Sequence, residues 1–440
     1  MSELPLRIAV IGSGPSGFYA AEALLKQPRK TLVDVFDRFP TPYGLVRAGV
    51  APDHQTIKAV VKVYDKTANL PGFRFFGNVT VGKDLTVDDL LEHYDAVVWA
   101  VGADGDKKMG IPGEDLAGSH SAIAFIGWYN GHPDHVHETF DLSCERVAIV
   151  GMGNVAMDVA RMLLSDPGKL ANTDICDHAV EALRASRVRE VVVIGRRGLA
   201  QAAFTLPEIR EIGSLADVDL CADVEECAVD ALSAAELDDD NTKKIVAYVT
   251  ERVRTGPQGK PKRVTLRFLA SPVALEGEGR VQRLTLEKNH LIASSTGVSA
   301  QGTGVHETLD VGLVFRSVGL RGRPVPGVPF DVKTGTFPHT AGRVTDRQYV
   351  VGWAKRGPSG LIGTNRADSV ATVNTLVADL AALQPGQRPD ISARLAANGV
   401  QATSYADWKV LDLTEQGRGK AVDKLREKFV RVEDMLDDLT

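Results

Sequence analysis

Residues 6–25 read LRIAVIGSGPSGFYAAEALL, and the fold is decided there. Leu6 to Gly12 is an apolar run closing on glycine, as a buried parallel strand does. Ser16 to Gln27 continues with helical spacing and the good helix formers Ala20, Ala21, Glu22 and Leu24. Leu32 to Phe36 is a second strand, so the chain opens with a βαβ unit, the entry element of a doubly wound sheet. Between strand and helix lies Gly12-Ser13-Gly14-Pro15-Ser16-Gly17, a GxGxxG in the context that motif requires. Gly12 permits the tight turn, Gly14 lets a pyrophosphate approach the backbone, and Gly17 lets helix and strand pack closely. The helix N-terminus adds amide donors and positive potential. Asp37 follows the second strand, about where a carboxylate accepts from ribose hydroxyls. A bare tight turn is the alternative; strand, helix and acid together point to a dinucleotide.

The pattern then returns. Arg146 to Gly151 is another strand start, and Gly151-Met152-Gly153-Asn154-Val155-Ala156 repeats the turn with alanine in the third small position and Asn154 as helix N-cap. A helix over Asn154 to Leu164 and a strand over Glu190 to Gly195 complete the unit. This strand runs not into an acid but into Arg196-Arg197. Two guanidiniums form forked contacts with a dianionic 2′-phosphate, which selects NADPH over NADH; the plainer reading is two arginines solvating a loop. The expected fold is α/β with two Rossmann-like nucleotide-binding domains. Turn formers at Gly102 to Asp106, Ile111-Pro112-Gly113 and Arg321 to Pro329 mark the crossings. The first domain is therefore discontinuous, 1–104 and 322–440, with 105–321 inserted.

Within the first domain, the Pro/Gly-rich loop Phe39 to Pro52 precedes a helix at Thr56 to Asn69, a strand at Phe73 to Val81, a capped helix at Thr86 to His93 and the apolar strand Ala96 to Val101. Strand-like Gln348 to Trp353 leads through a glycine-rich turn into a helix from about Leu361 to Leu383. In the inserted domain Val264 to Leu269 and Val281 to Glu287 read as antiparallel strands and Val311 to Val318 as a return strand. The basic stretch Lys243 to Arg267 reads as a solvated hairpin turning at Thr255-Gly256-Pro257, and the tail Lys424 to Met435 as a solvated helix.

Bulk properties narrow the function. The chain has 440 residues, 44% hydrophobic and 25% charged, as a soluble globular protein of two or three domains does. A net charge of −6 gives no reason to invoke nucleic acid or an anionic membrane. No apolar stretch approaches the roughly 18 to 20 residues that cross a bilayer. MSELPLRIAVIG carries no basic or amphipathic presequence, so a cytoplasmic protein is expected. Cys144, Cys176, Cys221 and Cys227 are widely spaced, without CxxC or a metal-ligand pattern. That argues against dithiol chemistry, an iron–sulfur cluster or a metal centre.

Further motifs carry a resemblance over nearly the whole chain. They are Tyr43-Gly44-Leu45-Val46-Arg47, Val50-Ala51-Pro52-Asp53-His54, Ile111-Pro112-Gly113-Glu114, Gly127-Trp128-Tyr129-Asn130, Gly153-Asn154-Val155-Ala156, Gly195-Arg196-Arg197-Gly198 and Trp353-Ala354-Lys355-Arg356-Gly357-Pro358-Ser359-Gly360. In these the chain resembles the adrenodoxin-reductase-like ferredoxin–NADP⁺ reductases, especially bacterial members without extra domains. The resemblance implies FAD on the first fold, NADP(H) on the second and ferredoxin as electron partner. Hydride would pass from NADPH to FAD and single electrons to ferredoxin, reversibly, in a monomer or weak dimer. For FAD it implies Gly12, Gly14, Pro15, Ser16, Gly17, Asp37, Arg38, Gly44, Leu45, Val46, Arg47, His54, Val81, Ala100, Val101, Gly102, Trp353, Gly360, Leu361 and Ile362. For NADP(H) it implies Gly151, Gly153, Asn154, Val155, Ala156, Arg196, Arg197, Glu211 and Gly360. Trp353 belongs with the catalytic group, and His54 and Glu211 would bind waters and steer protons near the two rings. By sequence alone both read as surface or core-satisfied residues. A helix entering after Gly360 would stabilise anionic reduced flavin. Met157 departs from the family's commoner aliphatic residue. The rivals are a flavin monooxygenase or oxidase, an electron-transfer subunit stripped of its clusters, and a redox-sensing module.

Overall fold

The computed structural model describes residues 4–235, 237, 239–295, 297–381 and 387–440, and the chain divides into two compact units, Met1–Asp106 with Leu320–Thr440, and Lys107–Gly319. In the first unit the strands Leu6–Ile11, Thr31–Phe36, Phe73–Phe76, Ala96–Trp99 and Gln348–Val350 pair in parallel, and Arg343–Thr345 adds an antiparallel edge. Successive side chains point to opposite faces of a strand. Ile8 and Val10 accordingly enter one apolar core with Val33, Val35 and Val98, while Ala9 and Ile11 enter the other with Phe36, Val97 and Trp99. Both faces are buried, which is why these strands read as continuous apolar runs.

The register aligns the strand ends. Ile11 lies opposite Phe36 and Trp99, and Trp99 opposite Val350. Gly12 to Gly14, Asp37, Ala100 to Gly102 and Gly352-Trp353 therefore leave the sheet at one carboxyl edge, the place where open α/β sheets take ligands. The segment read as one helix from Thr56 is two short ones, Gln55–Lys58 and Val61–Ala68. Thr86 caps Val87–His93 with a reciprocal capping box to Asp89. The long C-terminal helix spans Ile362–Leu380; the expected end at Leu383 lies outside the described residues.

The second unit has a six-stranded sheet in which every pairing is parallel, in the order Ser119–Ser121, Leu313–Arg316, Arg146–Val150, Glu190–Ile194, Lys262–Arg267, Val218–Ala222. Val147, Ile149, Val191 and Val193 pack under helices, and Ala148, Val150, Val192 and Ile194 under Leu275, Leu284 and Leu286 of an antiparallel sheet. That sheet comprises Ala270–Glu276, Arg283–Ser294 and Gly297–Asp310.

Three expectations are corrected here. Lys243 to Arg267 is no hairpin: Asp240–Thr255 is a helix, capped by Asp239 on the Thr242 amide at 2.8 Å and stopped at Gly256 with φ +73°. Ile245 and Val249, one helical turn apart, are its buried residues, a helical period that the charged surroundings disguise. Lys262–Arg267 is a parallel strand inside the main sheet, not an antiparallel one. The tail is not solvated, since Phe429 and Met435 are buried in a cluster with Phe18, Tyr43, Tyr64 and Trp408, and its helix is the short Val432–Asp437.

Candidate functional site

In the first unit Gly12 holds φ +108°, and a Cβ there would strike the Ala100 carbonyl oxygen. A Cβ on Gly17 would strike the Gly12 carbonyl oxygen, so helix and strand touch backbone to backbone. At Gly14 an added Cβ meets nothing within 4 Å. This glycine is not needed by the fold, and its open side is the approach that a phosphate would use. Gly14 is also the N-cap of Pro15–Leu25, with no side chain capping the helix, and Pro15 takes the first turn, where its missing N–H costs nothing. The first-turn amides are thus left for an anion.

Asp37 sits beneath this turn. Its carboxylate accepts from the Ser13 amide at 3.1 Å, from the Ser13 hydroxyl, and from the Phe39 amide at 3.0 Å. Burial pushes the Asp37 carboxyl up, against the hydrogen bonds from Ser13 and Phe39. Arg38 is exposed, 3.7 Å from Asp104, with its guanidinium over the Phe39 ring. Val81 and Val101 pack on the same core as Ile11 and Phe36, and Gly102 takes φ +71° with open space at its Cβ position.

The loop Tyr43–Arg47 meets the first turn directly. The Tyr43 amide donates to the Ser13 carbonyl at 3.0 Å, and a Cβ on Gly44 would come 3.2 Å from the Gly14 Cα. Leu45 opens the short helix Leu45–Ala48 and Val46 is buried beneath it. The Arg47 guanidinium is committed to Glu415, which narrows its expected flavin role to the loop it anchors. His54, half-buried, is the N-cap residue of Gln55–Lys58.

The C-terminal arm closes on the same corner. A Cβ on Gly352 would strike the Ser16 hydroxyl, the Ser16 hydroxyl donates to the Asn365 side-chain Oδ1 at 3.1 Å, and Ser369 donates to the Ser16 backbone carbonyl at 3.0 Å. Residues from the first turns of Pro15–Leu25 and Ile362–Leu380 therefore meet, adding two positive dipole ends. Asp368 holds the arm, accepting from the Gly352 amide at 2.6 Å and the Lys355 ammonium at 2.8 Å. The Trp353 indole N–H donates to the Ser359 carbonyl at 3.2 Å. Gly360 has φ +80°, Leu361 is exposed, and Ile362 starts the helix.

The second unit repeats the cradle. Gly151 holds φ +119°, and a Cβ there would strike the Ser317 carbonyl oxygen, whereas one on Gly153 meets nothing within 4 Å. Ala156 is fully buried against the strand, and Val155 is exposed. Asn154 is not the N-cap: Gly153 is, and no side chain caps the helix. The Asn154 side-chain Oδ1 instead accepts from the Thr205 amide at 2.8 Å, a tertiary bond that outcompetes local capping. Glu211 lies on the helix so tethered, Leu206–Ser214, with its carboxylate 3.3 Å from the buried Arg161 guanidinium, which also binds Asp158 at 2.6 Å. Val150 lies opposite Ile194, so Gly151 and Arg196 leave adjacent strand ends, and a Cβ on Gly195 would come 3.0 Å from the Met152 sulfur. Arg196 is exposed and Arg197 half-exposed. Among the described residues neither guanidinium carries a hydrogen bond or ion pair.

Sequence reasoning missed Asp368, Thr205, Arg161 and Glu415, which hold the predicted residues from outside their motifs; an acid, a base or a backbone amide with no motif around it offers no signal. The four cysteines are all free thiols, and burial pushes Cys144, Cys221 and Cys227 up, the last to about 12. None of these three has the lowered pKa of a redox nucleophile.

Comparison with known proteins agrees with this arrangement. The profile of the pyridine nucleotide-disulphide oxidoreductases matches residues 6–210. The chain is 44% identical over 453 residues to the NADPH-ferredoxin reductase FprA of Mycobacterium tuberculosis, covering 98% of each. It is 40% identical over 450 residues to the mitochondrial NADPH:adrenodoxin oxidoreductase of Salvelinus fontinalis, covering 98% of this chain and 90% of that one. The solved structure of Mycobacterium tuberculosis FprA in complex with NADPH superposes with a TM-score of 0.96 at 43% identity, over 99% of this chain and 100% of the other.

Proposed function

Because the chain belongs to the family of these NADPH–ferredoxin and NADPH–adrenodoxin reductases, we propose that it is a ferredoxin–NADP⁺ reductase, an FAD-dependent oxidoreductase working between NADPH and ferredoxin. The observation that carries this is the doubled cradle: two uncapped helix N-termini, each behind a glycine whose missing side chain opens onto free space. The first unit, essentially 1–104 and 322–440, takes FAD, and the inserted 105–321 takes NADP(H).

FAD, once bound, accepts two electrons as hydride and gives them up singly, which joins a nicotinamide to an iron–sulfur carrier. The chain supplies placement and electrostatics. Gly12, Gly14 and Gly17 with the amides of Pro15–Leu25 hold one pyrophosphate, and Asp37 with Arg38 borders its ribose. Gly44 to Arg47, Val81, Ala100 to Gly102, Trp353 and the Gly360–Ile362 backbone border the flavin. The N-terminus of Ile362–Leu380 favours the anionic reduced ring. Gly151, Gly153, Asn154, Val155 and Ala156 hold the second pyrophosphate, and Arg196 and Arg197, without an ion pair among the described residues, take the 2′-phosphate. His54 and Glu211 hold or move protons, Glu211 lying 3.3 Å from the Arg161 guanidinium. Gly360 serves both cofactors.

No helix among the described residues is long and apolar enough to cross a membrane. We place the chain in the cytoplasm, where its four thiols would stay reduced, as a monomer or weak dimer without nucleic-acid or membrane partners. The test is direct. The purified protein should be yellow, be reduced anaerobically by NADPH in preference to NADH, and pass electrons to a ferredoxin. Rapid oxygen consumption coupled to hydroxylation of an organic substrate would favour a monooxygenase instead.

A further inference from the structure

The Tyr43–Arg47 loop, assigned above to the flavin, is tied at both ends to the C-terminal segment 405–435. The Tyr43 hydroxyl bonds the Tyr405 hydroxyl at 2.7 Å, Tyr405 donates onward to Asp65 at 2.8 Å, and the Tyr43 ring stands edge-on to Trp408. At the other end both terminal nitrogens of Arg47 bind Glu415, one of them at 2.8 Å, while the Lys428 ammonium donates to the Arg47 carbonyl at 3.4 Å. Between these ties the backbone runs through φ +86° at Tyr43 and +50° at Gly44. A non-glycine residue in that region persists only where its surroundings over-determine it.

Glu415 is the centre of the tie. Its side chain is 0% exposed and that of Arg47 10%. Besides Arg47 it accepts from Arg426 at 3.1 Å and from the Phe429 amide at 3.0 Å, and Arg426 in turn binds Asp412 at 2.7 Å. Two guanidiniums thus face two carboxylates, and every oxygen of Glu415 is occupied. Burial alone would raise the Glu415 carboxyl, but the Arg47 charge and hydrogen bonds, with Arg426, hold it below the usual range. A carboxylate this deep is tolerated only because it is fully paired, and a buried pair fixes geometry more surely than it adds stability.

We propose that Glu415 is a positioning residue of the flavin site, acting through Arg47: it locks the Tyr43–Arg47 loop in shape and neutralises the one guanidinium that the loop carries. The proposal rests on the flavin reading of that loop. It gives the C-terminal segment a purpose that no motif announces, since Glu415, Arg426 and Tyr405 lie outside every stretch that suggested a nucleotide.

The test compares Glu415→Gln with the wild-type holoenzyme by two readouts, the FAD dissociation constant and the flavin midpoint potential. The variant should release FAD with a constant raised about tenfold, the scale of one lost charge-assisted hydrogen bond. Its potential should move positive, because an Arg47 left without its counter-ion favours the anionic reduced ring. In an Arg47→Gln background the same substitution should shift the potential no further, the non-additivity of residues acting in series. Wild-type affinity and potential in Glu415→Gln, or a shift that persists without Arg47, would overturn the proposal. Tyr405→Phe changes no charge and preserves the ring packing, so it decides the matter if Glu415→Gln does not fold. It should loosen FAD at an unchanged potential, and unaltered FAD binding would overturn the clasp. A colourless wild-type protein that cannot be reconstituted with FAD would instead end the flavin reading itself.

Discussion

Gly153→Ser separates what the second glycine cradle does for the fold from what it does for a ligand. Gly153 is the N-cap of Asn154–Leu164 with φ −105° and ψ −179°, an extended conformation open to any residue, and a Cβ there meets nothing within 4 Å. No side chain caps this helix, so the serine hydroxyl can accept from a first-turn amide, worth a few tenths of a kcal/mol over glycine. At about 2–4 °C per kcal/mol for a unit of this size, Tm should hold or rise by about 1 °C. The same hydroxyl takes a donor that the pyrophosphate would use, and a hydrogen bond to a charged group is worth about 1.5–3 kcal/mol. NADP⁺ should therefore bind about 10- to 100-fold more weakly. Gly151→Ala should behave oppositely. Its φ of +119° and the collision with Ser317 sum to roughly 2–5 kcal/mol of strain and overpacking, enough to lower Tm by about 5–15 °C. Calorimetric titration with NADP⁺ and thermal unfolding read the two effects apart. Unweakened NADP⁺ binding by Gly153→Ser, or a Tm loss matching that of Gly151→Ala, would refute the division of labour.

Replacing Arg196 and Arg197 together by glutamine should weaken NADPH about 100-fold more than NADH, the worth of two exposed charge-assisted contacts at the low end of their range; equal losses in KM for both coenzymes would remove the 2′-phosphate assignment. His54→Gln or Glu211→Gln should slow flavin reduction by NADPH about tenfold or displace its pH profile while FAD stays bound. Unchanged stopped-flow traces across the pH range would make both residues bystanders. The Cys227 thiol, pushed up to about 12 by burial and then by Glu226 and Asp223, remains protonated at pH 8. Alkylation of this residue, followed by mass spectrometry, should wait for unfolding, and labelling of the native protein at the rate of a free thiol would contradict its burial.

The places where sequence and structure part have identifiable causes. Asp240–Thr255 carries so many charges that its two buried residues, Ile245 and Val249, left the helical period hard to see, and a Gly-Pro pair suggested a hairpin instead. Asn154 has the right chemistry for an N-cap, yet the Thr205 amide, remote in the chain, claims its oxygen. Arg47 stands within a flavin-loop motif, while the partner of its guanidinium, Glu415, lies far outside that motif. The tail looked solvated because its lysines and acids outnumber Phe429 and Met435, the two residues that bury it. For Asn154 and the tail, long-range partners overrode a preference that was sound locally.

Strand, glycine turn, helix and terminal charge lie within a few dozen residues of one another, so periodicity and the steric needs of a turn made both nucleotide cradles, their order and the preference for a 2′-phosphate legible from the chain alone. Tertiary structure alone decided which groups hold those cradles in shape. Asp368 fixes the Trp353 arm, Arg161 pairs with Glu211, and Glu415 grips Arg47 from far along the chain. Such pairings depend on which carboxylate and which guanidinium are buried together, and burial is a property of the packed fold rather than of any local stretch.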